Sequence, residues 1–146
     1  MDAVITHYLH YLGFGLLFAT LAAELALFRP AVSGEVARRL ARIDALYGLA
    51  AVVVLATGLL KVFVYGKSAA YYGQNFVFHI KVTLFAIVFG LSLVPTVRFF
   101  RARGAANGTT VTYPAATGRL LVIEMAVLVL IPLLGVLMAH GYGYRA

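Results

Sequence analysis

The chain contains no cysteine and no tryptophan. The first absence excludes disulfides, thiolate metal sites and thiol catalysis. The second leaves nine tyrosines to supply any aromatic belt at a membrane interface. Charge is scarce as well: 12% of the 146 residues are Asp, Glu, Lys or Arg, against 63% hydrophobic, and mean hydropathy is +0.96. A water-soluble core of this size would leave too much apolar surface wet, so the composition is that of an integral membrane protein. No phosphate loop, no serine, histidine and acid set and no motif of a soluble enzyme is found.

Four apolar runs, at about 9–28, 45–65, 76–97 and 120–139, each approach the roughly 20 residues that a helix needs to cross about 30 Å of hydrocarbon. They are too long and continuous for barrel strands, and lipid offers backbone groups no partner. The expected fold is therefore all-α, an integral membrane four-helix bundle in one domain, 1–146. Arg29-Pro30, Gly66-Lys67 with Gly73, and Gly104 with Asn107-Gly108 break the runs, whereas Pro95 and Pro132 lie within them and would kink rather than end a helix. Residues 33–44 read as a helix start capped by Ser33 and resting on anionic lipid through Arg38, Arg39 and Arg42. Residues 103–113 read as a flexible turn. Residues 66–73, with Tyr71 and Tyr72, form a short outward loop, either a cover over a pocket or an ordinary interfacial turn.

Orientation follows from the basic residues. Arg29, Arg38, Arg39, Arg42, Arg98, Arg101, Arg103 and Arg119 fall in or beside the first and third connections, against Lys61, Lys67, Lys81 and Arg145 on the other side. The positive-inside rule then puts the arginine loops in the cytoplasm and both termini outside. Asp2, the lack of a basic n-region and Glu24 argue against a cleaved signal peptide. The net charge of +7 is mostly this topology signal, and nucleic acid is not an expected partner.

With this topology, all four histidines (His7, His10, His79 and His140) fall at the outer end with the lysines and most tyrosines. Glu24, Glu35, Asp44 and Glu124 fall at the inner end. At about 100° per residue, His7, His10, Leu17, Leu21 and Glu24 share a stripe of the first helix. Asp44, Tyr47, Ala51, Gly58, Lys61 and Tyr65 share one of the second. Such stripes face a bundle interior rather than lipid. In the third helix His79, Thr83, Ala86 and Gly90 form a small-residue face for a neighbour or a flat cofactor, and Lys81 points about 200° away. In the fourth, Glu124 aligns with Gly135 and Met138, with His140 on the other face.

Several chemistries suit this arrangement. His10 and His79 are candidate axial ligands of a b-type haem, with Met138 as an alternative ligand and Lys61 and Lys67 beside the propionates. His7 and His10, three residues apart, are candidates with His79 or His140 for copper or zinc. Equally, the histidines sit unliganded at headgroup level and the lysines snorkel to the interface. Glu24 and Glu124 either pair with arginines such as Arg38, Arg42 or Arg119 or carry protons toward the outer site. Small-residue faces, Gly13 with Gly15 and Ala86 with Gly90, allow close contact within the chain or in a homo-oligomer.

Tyr8-Leu9-His10, the run ending in Arg29-Pro30, the stretch from Ala23-Glu24-Leu25 through Arg39 to Gly48, the Gly66-Lys67 to Tyr71-Tyr72 loop and Phe78-His79-Ile80-Lys81 resemble a family of small bacterial four-helix inner-membrane proteins of unknown function. The resemblance covers nearly the whole chain. More distantly the layout is similar to HemJ-type protoporphyrinogen oxidases and to the CopD-type copper-resistance membrane domain. The HemJ resemblance implies a membrane oxidoreductase that binds haem b and passes electrons to a respiratory-chain partner or quinone, with His10 at the position of its first-helix histidine. The expectation is a multi-pass inner-membrane haem-b redox protein; the alternative is a non-catalytic membrane protein or small transporter that binds a transition metal.

Overall fold

An apolar run in lipid can satisfy its backbone only within itself, and all four runs are helical. The computed structural model describes residues 1–65 and 69–143. In chain order it comprises α1 (Asp2–Leu27), β1 (Ala31–Ser33), α2 (Gly34–Phe63), the short α3 (Ala69–Gly73), α4 (Phe76–Arg101), β2 (Thr110–Thr112) and α5 (Ala115–Ala139). Helices α1, α2, α4 and α5 are each long and apolar enough to cross a membrane.

The helices extend beyond the apolar runs because their caps lie outside them. The Ser33 hydroxyl accepts from the Val36 amide at 3.3 Å and starts α2 well before the apolar run at 45. The turns so added are amphipathic, with Ala37, Leu40 and Asp44 buried and Arg39 and Arg42 exposed. Asn75 caps α4 in the same way, its side-chain oxygen accepting from the Phe78 amide at 3.2 Å. Asn75 is fully buried and also ties the end of the described chain to α4: its Nδ2 donates to the Tyr142 carbonyl, and the Phe76 amide donates to the Gly143 carbonyl at 3.0 Å. Pro95 and Pro132 lie within α4 and α5 without ending either.

The helices form two antiparallel hairpins, α1 with α2 and α4 with α5, and α2 against α4 with α1 against α5 closes the ring. Leu17, Leu21, Leu40, Leu121 and Leu128 fill its interior, while Leu12, Leu49, Leu55, Leu93 and Leu133 stay exposed on the outside, as a lipid-facing surface requires.

The connections at the arginine end depart from expectation. Residues 103–113 are not a loose turn, because 110–112 pair antiparallel with 31–33 in the register Ala31 to Thr112, Val32 to Val111 and Ser33 to Thr110. The β-branched run Thr109-Thr110-Val111-Thr112 suits a strand, and it needed a partner far along the chain. The Gly34 amide donates to the Thr109 carbonyl at 2.9 Å and the Tyr113 amide to the Pro30 carbonyl at 2.7 Å. Arg38 donates to the Ala105 carbonyl and to Asn107 Oδ1, joining the same two connections.

Gly34 is the tightest point of this junction. A Cβ there would stand 2.2 Å from the Ala106 carbonyl oxygen and 2.9 Å from Thr109 Oγ1. Because the first of these is backbone and cannot swing aside, Gly34→Ala is expected to cost about 1–3 kcal/mol. It should lower the melting temperature in detergent and speed proteolysis within 103–113. An unchanged melt and cleavage pattern would contradict the pairing of the two connections.

Candidate functional site

Helical periodicity places one carboxyl from each of three helices in a layer near the arginine end: Glu24 on α1, Asp44 on α2 and Glu124 on α5. Glu24 and Glu124 are 1% exposed and Asp44 5%. Glu24 lies within electrostatic range of the other two, and Tyr47 within range of all three. On α4, Thr96 donates its hydroxyl to Asp44 Oδ1 at 2.8 Å. One buried oxygen each of Glu24 and Glu124, by contrast, has no hydrogen-bond partner.

The expected pairing of Glu24 and Glu124 with arginine is corrected by this arrangement. Among the described residues the ion pair found is Arg39 with Glu35, on the exposed start of α2. Arg38 is spent on the connection, and Arg98 donates to the Thr117 hydroxyl at 2.7 Å. Three aromatic rings cap the layer on that side. Phe28 lies one turn beyond Glu24, Phe99 one turn beyond Thr96, and Tyr113 just before α5. Their centroids are 6.4, 5.9 and 5.4 Å apart. The Tyr113 hydroxyl is buried without a partner, and burial holds its phenol above the ordinary tyrosine range, so it stays protonated. Gly118 makes room for this cap, since a Cβ there would meet Phe28 Cε1 at 2.7 Å.

At the opposite end, His10 Nδ1 lies 2.9 Å from Thr57 Oγ1. The threonine donates its own proton to the Val53 carbonyl at 2.6 Å, so it accepts from His10, and these bonds assign the Nδ1–H tautomer. The imidazole packs on Gly58, 3.5 Å from where a Cβ would sit. Lys61 Nζ stands 5.1 Å from the centroid of the Tyr11 ring. From α4, Lys81 reaches toward α5, its Nζ 3.8 Å from the position of a Gly135 Cβ. His10, Lys61 and Lys81 lie within electrostatic range of one another.

His79 does not join them. It is exposed on the other side of α4, with Nε2 at 2.9 Å from the Gly73 carbonyl. Thr83, Ala86 and Gly90, which share its face, are exposed too. His7 Nδ1 bonds to the Ala3 carbonyl at 2.6 Å, and His140 Nδ1 to the Val136 carbonyl at 2.9 Å. Met138 is half-buried near the end of α5, and Lys67 lies outside the described residues. Among the described residues no three histidine or carboxylate side chains stand together as a metal-binding group. Of the α4 candidates, Lys81 rather than His79 therefore meets His10. The expectation that the face of His79, Thr83, Ala86 and Gly90 turns to a neighbour is corrected: that face is exposed, because an almost wholly apolar helix has no polar stripe to set its rotation. Thr57, Thr96 and Tyr113 carried no sequence signal beyond their helix phase.

Between the two layers the interior is mainly apolar, built from Leu17, Leu21, Val54, Val88, Leu128 and Ile131, with the hydroxyls of Thr20 and Ser92 turned onto carbonyls of their own helices. Fourteen residues of α1 separate His10 from Glu24, about 21 Å along the helix axis.

A family model described as "Predicted membrane protein (DUF2214)" matches residues 2–143. No curated protein and no solved structure matches the chain.

The unpartnered acids make a stability prediction. Removing one member of a buried ion pair costs about 3–5 kcal/mol because the other charge is stranded. Glu24 and Glu124 strand nothing, so Glu24→Gln and Glu124→Gln should each change stability by less than about 1 kcal/mol. Thermal melts in mild detergent measure this, and a large loss in either variant would restore a hidden cationic partner.

Proposed function

The chain belongs to the DUF2214 family of predicted membrane proteins, and we propose that this multi-pass protein handles protons, with Glu24, Glu124 and Asp44 taking them up and releasing them inside the bundle. One observation carries this reading: Glu24 and Glu124 are buried among four helices, each with a carboxyl oxygen bare and no ion pair among the described residues. An ionised carboxylate in such a place costs several kcal/mol, and a bound proton removes that cost. Like-charge repulsion across the layer adds to the drive for uptake.

The surrounding groups have distinct parts in this scheme. Thr96 holds Asp44 by a hydrogen bond to its carboxylate, which leaves Glu24 and Glu124 as the acids with free oxygens. The cap of Phe28, Phe99 and Tyr113 lies on the route to the arginine end, which the positive-inside rule makes cytoplasmic. On the other side, the buried hydroxyls of Thr20 and Ser92 donate to carbonyls of their own helices, and over the distance of about 21 Å to His10 the rest of the interior is lined mainly by apolar side chains. Protons therefore enter and leave through the capped end, and the protein works by binding linked to rearrangement rather than as an open proton wire.

The haem reading expected from the HemJ-type resemblance relied on His10 and His79 as a ligand pair. His10 is engaged with α2 and His79 with the Gly73 carbonyl on the far side of α4, so the two do not address a common space. The copper or zinc reading relied on His7 and His140 as well, and both bond to carbonyls of their own helices.

Infrared spectroscopy of the protein in lipid tests the proton reading directly. At neutral pH a carbonyl band of protonated carboxylic acid is expected. It should shift on transfer to heavy water, weaken in Glu24→Gln and in Glu124→Gln, and vanish as pH rises. A spectrum at neutral pH without that band, or a band untouched by both substitutions, would overturn the proposal.

A further inference from the structure

We propose that the histidine end of the bundle is an oxyanion site, in which Lys61 and Lys81 bind a phosphate group presented by a lipid headgroup or by free phosphate, beside the imidazole of His10. The inference is independent of the proton reading, because it concerns the opposite end of the molecule.

Two lysines and a histidine from three helices lie within electrostatic range of one another there, and among the described residues none of them forms an ion pair with an acid. Lys61 comes from the last turn of α2, Lys81 from the second turn of α4 and His10 from α1. Among the described residues neither lysine has a hydrogen bond or ion pair; Lys61 has only the face of Tyr11. The buried carboxyls Glu24, Asp44 and Glu124 lie across the interior, and Asp2, on the first turn of α1, forms no ion pair among the described residues.

Snorkelling does not account for Lys81. A snorkelling lysine turns its ammonium out to water along its own helix. Lys81 Nζ instead crosses to α5 and comes to rest opposite Gly135. The neighbouring helices present glycine where they face these groups, Gly58 against His10 and Gly135 against Lys81, so the imidazole and the ammonium lie close against the neighbouring backbone. Two ammonium groups supply up to six donors, whereas His10 gives its Nδ1–H to Thr57 and faces the site with Nε2 as an acceptor, which can serve only a protonated phosphate oxygen. A tetrahedral oxyanion suits such a set better than a planar carboxylate alone, since its oxygens can meet donors from several directions. The depth agrees, because the ends of α2 and α4 are where lipid phosphates lie.

The test uses the full chain in nanodiscs with thermal melting as readout. In phosphatidylcholine discs, inorganic phosphate is titrated against chloride at matched ionic strength. In phosphate-free buffer, discs with phosphatidylglycerol are compared with phosphatidylcholine alone. The first arm reports free phosphate and the second a lipid phosphodiester. A rise in melting temperature is expected in at least one arm. Lys81→Gln and Lys61→Gln should each weaken the response about tenfold, the usual effect of losing one charge-assisted hydrogen bond. Both variants remove a cation without a partner, so the fold should survive, and Lys81→Arg should restore the response. Arg42→Gln, at the other end, and Glu24→Gln should leave it intact. A response absent in both arms, or equal in wild type and both lysine variants, would overturn the proposal.

Discussion

The apolar belt of Leu17, Leu21, Val54, Val88, Leu128 and Ile131 keeps the acids and bases of this bundle from neutralising one another. At a separation of about 20 Å and an effective dielectric of about 20, two unit charges attract by only about 0.8 kcal/mol, against about 4 kcal/mol at contact. Each layer must therefore be satisfied locally. Neither is satisfied by a charged side chain of opposite sign among the described residues, and this leaves both ends chemically open.

The connections at the arginine end have a matching consequence. Arg38 is committed to Ala105 and Asn107 of the other connection and Arg98 to Thr117, and the aromatic cap stands beside the acids. Had Arg38 turned inward, the ladder joining residues 31–33 to 110–112 would lose its side-chain clamp. Arg38 thus stitches the two halves of the bundle together rather than serving Glu24 or Glu124 as a cation. Structure and chemistry draw on one set of arginines, and the fold takes them.

Much of this was readable in the chain. Four runs of apolar residues become four helices, and the stripe of Leu17, Leu21 and Glu24 and that of Asp44, Tyr47 and Ala51 do face inward. The helix ends were less readable, because hydropathy fades at the membrane surface while the hydrogen-bond ladder continues to the Ser33 cap. The strand pair was not readable, since 31–33 and 110–112 are each too short to declare themselves without the other. The facing side of α4 was the main ambiguity. An almost wholly apolar helix has no polar stripe to set its rotation, so packing chose Lys81 over His79.

An interior cation at one end and unpaired acids at the other are expensive for a membrane bundle. Leucine at any of these positions would pack as well and bury no polar group. That α1, α2, α4 and α5 each place an ionisable residue inward, with small or apolar neighbours around it, is thus hard to attribute to stability. Local violations of the rules for a stable bundle concentrate where a protein works. Here they concentrate twice, at depths too far apart for direct contact, so any coupling between proton binding and anion binding must travel through movement of the helices themselves. The packing offers a route for that: α1 runs the full distance from His10 to Glu24, and α2 from Asp44 to Lys61, so a shift of one hairpin against the other displaces both layers at once.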